Sequence, residues 1–168
     1  MKISFCIECG SPLQKQNDNR YDCANGHTFW NNPKTCVTVA LLREDGQVLY
    51  AKRAIEPKKG LYNLPGGYID FGESPRDTVQ RELKEELGIE VEASSLILLD
   101  AYRSVYTENV ITIDMAFLAT KWQGTPQPLD ETSELLWESP DFISDPRFSE
   151  PTYAGLQDLI KEHVKRHE

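Results

Sequence analysis

The chain has 168 residues, 39% of them hydrophobic, and 27 acidic against 18 basic side chains give a net charge of −9. That length suits one compact domain with a small appendage, and that charge argues against a general nucleic-acid binder, which needs clustered Lys and Arg along the phosphate backbone. No apolar run reaches the roughly 18 residues of a membrane span, and the opening MKISFCIECG lacks the apolar stretch of a secretory signal, so a cytoplasmic protein with no membrane and no nucleic-acid partner is expected.

In chain order, the first 32 residues hold Cys, Gly and Asn turns and few large aliphatics, and Asn31-Asn32-Pro33 marks a boundary between segments 1–32 and 33–168. Thr35 to Leu42 (TCVTVALL) then predicts a buried strand, rich in β-branched residues. Glu44-Asp45-Gly46 supplies a turn, and Gln47 to Ala54 returns as the partner strand. Pro57 to Gly60 is a loop, and Leu64 to Tyr68 carries a tight Pro-Gly-Gly turn. Ser74 to Leu87 is the clearest helix: Ser74 caps it, Pro75 suits its first position, Asp77 completes a capping box and Gly88 stops it. Leu96 to Tyr106 and Val110 to Trp122 read as long strands joined at Thr107-Glu108-Asn109. Gly124 to Asp130 is a proline-bearing loop, Leu135 to Glu138 a short strand, and Pro151 to His167 a closing amphipathic helix. Strands flanking one central helix, with a second helix at the end, make an α+β pattern with mixed sheets.

The central helix carries the chemistry. Glu82, Glu85 and Glu86 stand at i, i+3 and i+4, which sets three carboxylates on one face. Such like charges repel unless a cation sits between them, and hard carboxylate oxygens suit Mg²⁺ or Mn²⁺ shared with substrate phosphates. Arg81 can pair with these glutamates and fix their rotamers, while Val79, Leu83 and Leu87 form the opposite, buried stripe. Gly66 and Gly67 precede the helix, where backbone can approach a metal or phosphate.

The segment GYIDFGESPRDTVQRELKEELGI, from Gly67 to Ile89, resembles the signature of the Nudix hydrolases, G-x5-E-x7-R-E-U-x-E-E-x-G-U with U aliphatic. Every fixed position matches: Gly67, Glu73, Arg81, Glu82, Leu83, Glu85, Glu86, Gly88 and Ile89. The resemblance implies an α/β/α sandwich around a mixed sheet. It implies catalytic Mg²⁺ (or Mn²⁺) on Glu82, Glu85 and Glu86, with the Gly66 carbonyl completing the set and Glu73 supporting it. The implied reaction is cleavage of the pyrophosphate bond of a nucleoside diphosphate joined to another group. Glu131 and Glu134 are candidates for a general base on a later loop, Glu134 being preferred.

Cys6-x2-Cys9 and Cys23-x3-His27, each beside a glycine and separated by 13 residues, have the ligand types and spacing of a tetrahedral structural Zn²⁺ site. Cys36 is the alternative to His27, although it lies inside the apolar strand and reads better as core. Within 1–32, Lys2, Lys15 and Arg20 balance Glu8, Asp18 and Asp22, so this small zinc ribbon lacks the charge of a nucleic-acid reader and more naturally caps the enzyme or helps form a homodimer.

A ribbon, an Asn-Pro linker and then the hydrolase resembles the layout of NADH pyrophosphatases and of Nudix enzymes acting on FAD and ADP-ribose. The stretches Lys52 to Pro57 and Gly60 to Tyr68 are similar to the second group, and the Ser-Gln-Pro-Trp-Pro-Phe-Pro run of the first is missing. A small nucleotide substrate is therefore expected: FAD, ADP-ribose, NADH or similar. Arg53 is a candidate phosphate contact, and Tyr62, Tyr68 or Trp30 can stack on a base. Tyr106 occupies a position where dinucleoside polyphosphate hydrolases tend to carry tyrosine. The alternatives are a house-cleaning hydrolase of nucleoside triphosphates or dinucleoside polyphosphates, and a non-catalytic nucleotide-binding regulator.

Overall fold

A computed structural model describes residues 4–108, 110–149 and 155–165. Near the N-terminus, β1 (Leu13–Lys15), β2 (Arg20–Cys23) and β3 (Thr28–Trp30) form a small antiparallel sheet in sequence order. The rest is built on two three-stranded sheets. In the first, β4 (Lys34–Leu41) runs parallel to β8 (Val110–Ala119), which pairs on its other side with antiparallel β7 (Ile97–Thr107). In the second, β5 (Val48–Arg53) lies between β6 (Tyr62–Asn63) and β9 (Thr132–Glu138), all antiparallel.

Helix α1 (Pro75–Leu87) has the expected ends. Asp77 N–H donates to Ser74 Oγ at 3.3 Å, Ser74 N–H donates to the Asp77 carboxylate at 2.9 Å, and Gly88 closes the helix at φ 66°. Alternation along β4 feeds two cores. Val37, Val39 and Leu41 pack with Val79, Leu83 and Leu87 of α1. Ala40 and Leu42 join Tyr50, Leu118 and Phe142 against Leu156 and Ile160 of α2 (Leu156–Lys165). The strands thus lie between two helices, the α/β/α sandwich of the Nudix resemblance, with β4 and β8 as its parallel strand pair.

Element ends differ modestly from the sequence expectation. β9 starts at Thr132 rather than Leu135, because Thr132 and Glu134 still pair with Arg53 and Lys52 of β5. β8 ends at Ala119, short of Trp122, whose ring stacks on Trp137 at 6.0 Å. For the closing helix, the expected start at Pro151 and end at His167 lie outside the described residues, as does Asn109 of the expected turn. Among the described residues, no helix is long and apolar enough to cross a membrane.

One arrangement positions the site. The segment after β6 runs along β4: Val39 N–H donates to the Pro65 carbonyl at 2.8 Å, Val37 N–H to the Gly67 carbonyl at 2.9 Å, and Ile69 N–H to the Thr35 carbonyl at 3.1 Å. These bonds clamp Gly66 and Gly67 beside α1, which the same strand anchors through its apolar stripe.

Candidate active site and cysteine cluster

A cleft of about 600 Å³ opens between α1, the Gly66-Gly67 segment and the exposed ends of the strands. Arg81, Glu82, Glu85 and Glu86 form its acidic wall. Arg81 is the hub of that wall. Its Nε and Nη2 donate to the two oxygens of Glu73 at 2.8 and 3.1 Å, a bidentate pair. Its Nη1 donates to Glu82 at 2.8 Å and Glu85 at 3.1 Å, and Nη2 also reaches the Tyr68 carbonyl at 3.0 Å. Arg81, with the Thr78 hydroxyl at 2.8 Å, holds the Glu73 carboxyl down to about 2.

Two carboxyls of the wall, Glu82 and Glu86, shift the opposite way. Burial drives Glu86 up to about 8, outweighing the lowering by its backbone donor, Gly66 N–H at 3.2 Å. Burial is also the leading cause of the upward shift at Glu82. The backbone has been thinned to make room for these groups. A Cβ on Gly67 would lie 2.2 Å from Glu82 Oε1, and one on Gly66 would lie 2.2 Å from the Val37 carbonyl oxygen. Carboxylates packed within one helical turn, two of them desolvated, with backbone drawn close, form a donor set that fits a hard divalent cation. The positive charge would stabilise their ionised forms.

The cleft brings together Arg53, Gly66, Arg81, Glu82, Glu85, Glu86 and Tyr106 from the sequence-predicted set. Glu73 stands behind Arg81 rather than on the wall. Tyr106 accepts from Arg53 Nη2 at 3.3 Å and meets the edge of Tyr68 with ring centres 6.3 Å apart. Arg53 Nε donates to the Pro57 carbonyl at 2.7 Å, so this arginine also fastens the loop that walls the cleft.

Three candidates, Tyr62, Glu134 and Trp30, lie elsewhere. Tyr62 is buried against Phe142, ring centres 5.5 Å apart, and its hydroxyl donates to Glu134 at 2.8 Å. Glu134 also pairs with Lys52 at 2.9 Å and does not line the cleft, whereas Glu131 does, with Arg53 Nη2 4.0 Å away. Trp30 sits on β3 beneath Arg20, 5.7 Å from its ring centre. Sequence reasoning did not single out Lys58, Tyr102, Thr112 or Asp114, all of which line the cleft, and read Cys36 as core; it is buried, and it also lines the cleft. Pairing of β4 with β8 joins residues 78 positions apart, and no local signal announces it.

A second cluster lies near the N-terminus. The ligand atoms of Cys6, Cys9, Cys23 and His27 all fall within 4.8 Å of one another. Cys9 Sγ is 3.8 Å from Cys23 Sγ, and His27 Nδ1 is 3.5 Å from Cys6 Sγ and 3.7 Å from Cys23 Sγ. A tetrahedral site with Zn–S near 2.3 Å and Zn–N near 2.0–2.1 Å demands S···S edges of about 3.8 Å and S···N edges of about 3.5 Å, so a cation of that size fits. Glu8 lies 3.6 Å from the far nitrogen of His27, suited to orient its ring. Hydrogen bonding from Ser11 brings the Cys9 thiol down to about 5, while burial raises Cys6. The alternative of Cys36 as fourth ligand falls: its Sγ is in the cleft, 2.5 Å from Asp114 Oδ1.

Comparison with known proteins bears on the larger part of the chain. The NUDIX domain family profile matches residues 32–159. A MutT-like protein of Streptomyces ambofaciens is 31% identical over 141 residues, covering 81% of this chain and 86% of that protein. The NAD-capped RNA hydrolase NudC of Photobacterium profundum is 30% identical over 139 residues, 80% of this chain, which spans 49% of that relative's length. The NUDIX hydrolase structure from Nitrosomonas europaea shares the fold over 98% of this chain and 93% of its own, with a TM-score of 0.66 at 22% identity.

Proposed function

Because the chain belongs to the Nudix hydrolase family, we propose that it is a divalent-cation-dependent enzyme cleaving the pyrophosphate bond of a nucleoside diphosphate joined to a second moiety, as in FAD, ADP-ribose or NADH. The observation that carries this reading is the wall of Glu82, Glu85 and Glu86 on one cleft face, organised by Arg81 and closed by Gly66 and Gly67. Mg²⁺ or Mn²⁺ would be held by those three carboxylates and the Gly66 carbonyl, and when bound it supplies Lewis acidity at the phosphoryl oxygens and lowers the pKa of the attacking water.

The chain's own groups set the geometry. Arg81 holds Glu82 and Glu85 in fixed rotamers, and Glu73 holds Arg81, so the wall is organised before substrate arrives. Of the two candidate bases, Glu131 is favoured by its place on the cleft, facing Glu86 and Arg53; its carboxylate would take the proton from the attacking water. Tyr68 and Tyr106 offer aromatic surface to the nucleoside. Segment 1–32 is a Zn²⁺ ribbon on Cys6, Cys9, Cys23 and His27, and 33–168 is the hydrolase domain.

Similarity to the 8-oxo-dGTP diphosphatase of Escherichia coli, 31% identical over 133 residues and covered over 98% of its length, supports a second reading, hydrolysis of nucleoside triphosphates. The test is incubation with Mg²⁺ and a panel of FAD, ADP-ribose, NADH, diadenosine tetraphosphate and nucleoside triphosphates, with chromatographic identification of products. Two mononucleotide-type products support the first reading, and a monophosphate plus pyrophosphate the second. Glu85→Gln is expected to lower turnover by about 10²–10³-fold with the fold intact. Full activity in that variant would remove the cation assignment.

A further inference from the structure

Away from the acidic helix, the cleft floor is a polar row laid across the first sheet. Strand register sets Tyr68 beside Cys36, Cys36 beside Asp114, and Asp114 beside Tyr102, and all four line the cleft. Tyr102 also borders the apolar cluster that Ala40, Ala116 and Leu118 enter further along the same strands, so the polar row ends where that core begins.

Asp114 is at the centre of the row. Cys36 Sγ donates to its Oδ1 at 2.5 Å and Thr112 Oγ1 to its Oδ2 at 2.6 Å, one neutral donor for each oxygen. Nearby cations are directed elsewhere. Lys34 Nζ lies over the Tyr68 ring at 4.9 Å, Lys58 Nζ over the Tyr106 ring at 5.3 Å, and Arg53 is taken up by Pro57 and Tyr106. Asp114 and Cys36 lie close enough to the Tyr68 hydroxyl to add to the rise that burial causes in its pKa. Carboxylate and aromatic wall therefore share one chamber.

Two physical consequences follow for a ligand. Among the described residues no Lys or Arg is paired with Asp114, and such a carboxylate repels phosphate, so the anionic part of a substrate is kept at the far wall, where cations can screen the glutamates. A carboxylate is also acceptor-only, with about four lone-pair sites, so it selects a ligand group that donates N–H or O–H. The thiol and hydroxyl hold the carboxylate in one orientation for that purpose.

We propose that Asp114, oriented by Cys36 and Thr112, is the specificity-determining residue that accepts a hydrogen bond from a donor on the nucleoside part of the substrate, the exocyclic amine of the base or a ribose hydroxyl. This rests on the pyrophosphohydrolase reading above.

The experiment compares kcat/KM for three compounds: the adenosine compound cleaved best, its hypoxanthine counterpart, in which a carbonyl replaces the amine, and its 2′-deoxy counterpart. The wild type should disfavour one counterpart by about 10–100-fold, the scale of a hydrogen bond to a charged group, and the counterpart disfavoured identifies the donor. Asp114→Asn should bring that preference down to within about threefold. Thr112→Val, which keeps the carboxylate and loses its orienting hydroxyl, should lower the preference part of the way. It carries the test if Asp114→Asn melts early. A folded Asp114→Asn that keeps the wild-type preference overturns the proposal, and so does a wild type indifferent to both changes. If the wild type hydrolyses none of the three, the catalytic reading fails separately. Calorimetric binding of the same compounds to wild type and variant then decides the role of Asp114 by the same preference.

Discussion

Two regions of this molecule reach a folded state by different means. In residues 4–31 only Cys6 and Cys23 are buried, while Phe5 and Ile7 on the same segment are 63% and 85% exposed. Three short strands with so little apolar burial cannot offset the conformational entropy of ordering them. Residues 34–165 instead carry two apolar clusters, one under each helix, with Val39, Leu49, Leu83 and Leu118 fully buried. At about 1.5–3 kcal/mol for each such side chain, this region holds itself together. The difference teaches where each region is vulnerable: the first through its ligand atoms, the second through its packing.

The largest expected effect follows from removing whatever the cysteine cluster holds. Apparent metal-binding free energies of about 10–16 kcal/mol in small structural sites are also folding free energies. A strong zinc chelator, or Cys6→Ser, should abolish amide protection across residues 4–31 and release zinc, while amides of α1 exchange as slowly as before. A zinc-free wild type whose melting is untouched by Cys6→Ser would break the comparison outright.

The converse perturbation is smaller. Leu83 is fully buried in the cluster that fixes α1 against β4. Leu83→Ala should cost about 2–5 kcal/mol in denaturant unfolding, from lost burial plus a residual cavity. Zinc content should stay at the wild-type level. A cost below about 1 kcal/mol would mean that α1 is anchored by something other than this stripe.

How far each region was legible in the sequence follows the same division. Local signals carried α1, since its cap, its Gly88 stop, its apolar stripe and its three glutamates all lie within one segment. The gathering of Cys6, Cys9, Cys23 and His27 was legible because their types and spacing are those of two metal knuckles, and the fold brings the four ligand atoms within 4.8 Å of one another. Long-range register was not legible. Starting β9 at Thr132 sets Glu134 opposite Lys52, where it meets Tyr62, and leaves Glu131 to the cleft. Because side chains alternate along a strand, the face of each acid depends on a pairing that neighbouring residues do not encode. The meeting of Cys36 with Asp114 was hidden for the same reason, since it arises only when β4 and β8 come together.

The two adjacent glycines at the cleft separate packing from chemistry within the larger region. Gly66 has φ 143°, and a Cβ there would meet backbone, the Val37 carbonyl oxygen, at 2.2 Å. Neither strand β4 nor the clamped segment can yield without losing the hydrogen bonds between them. Gly66→Ala should therefore cost about 1–3 kcal/mol in stability as well as activity. At Gly67 the φ is ordinary, and the nearest atom, also at 2.2 Å, is Oε1 of Glu82, the end of a flexible side chain. Glu82 can swing aside at little cost to the fold, but it then leaves the position in which Arg81 holds it. Gly67→Ala should thus keep a melting temperature within about 2 °C of wild type, yet lose about 10–100-fold in kcat, because a carboxylate misplaced by about 1 Å would no longer meet the proposed cation correctly. Equal losses of stability in both variants would mean that Glu82 is as rigidly built into the structure as the backbone of β4. The acidic wall would then be part of the packing rather than a set of side chains held in readiness on its surface.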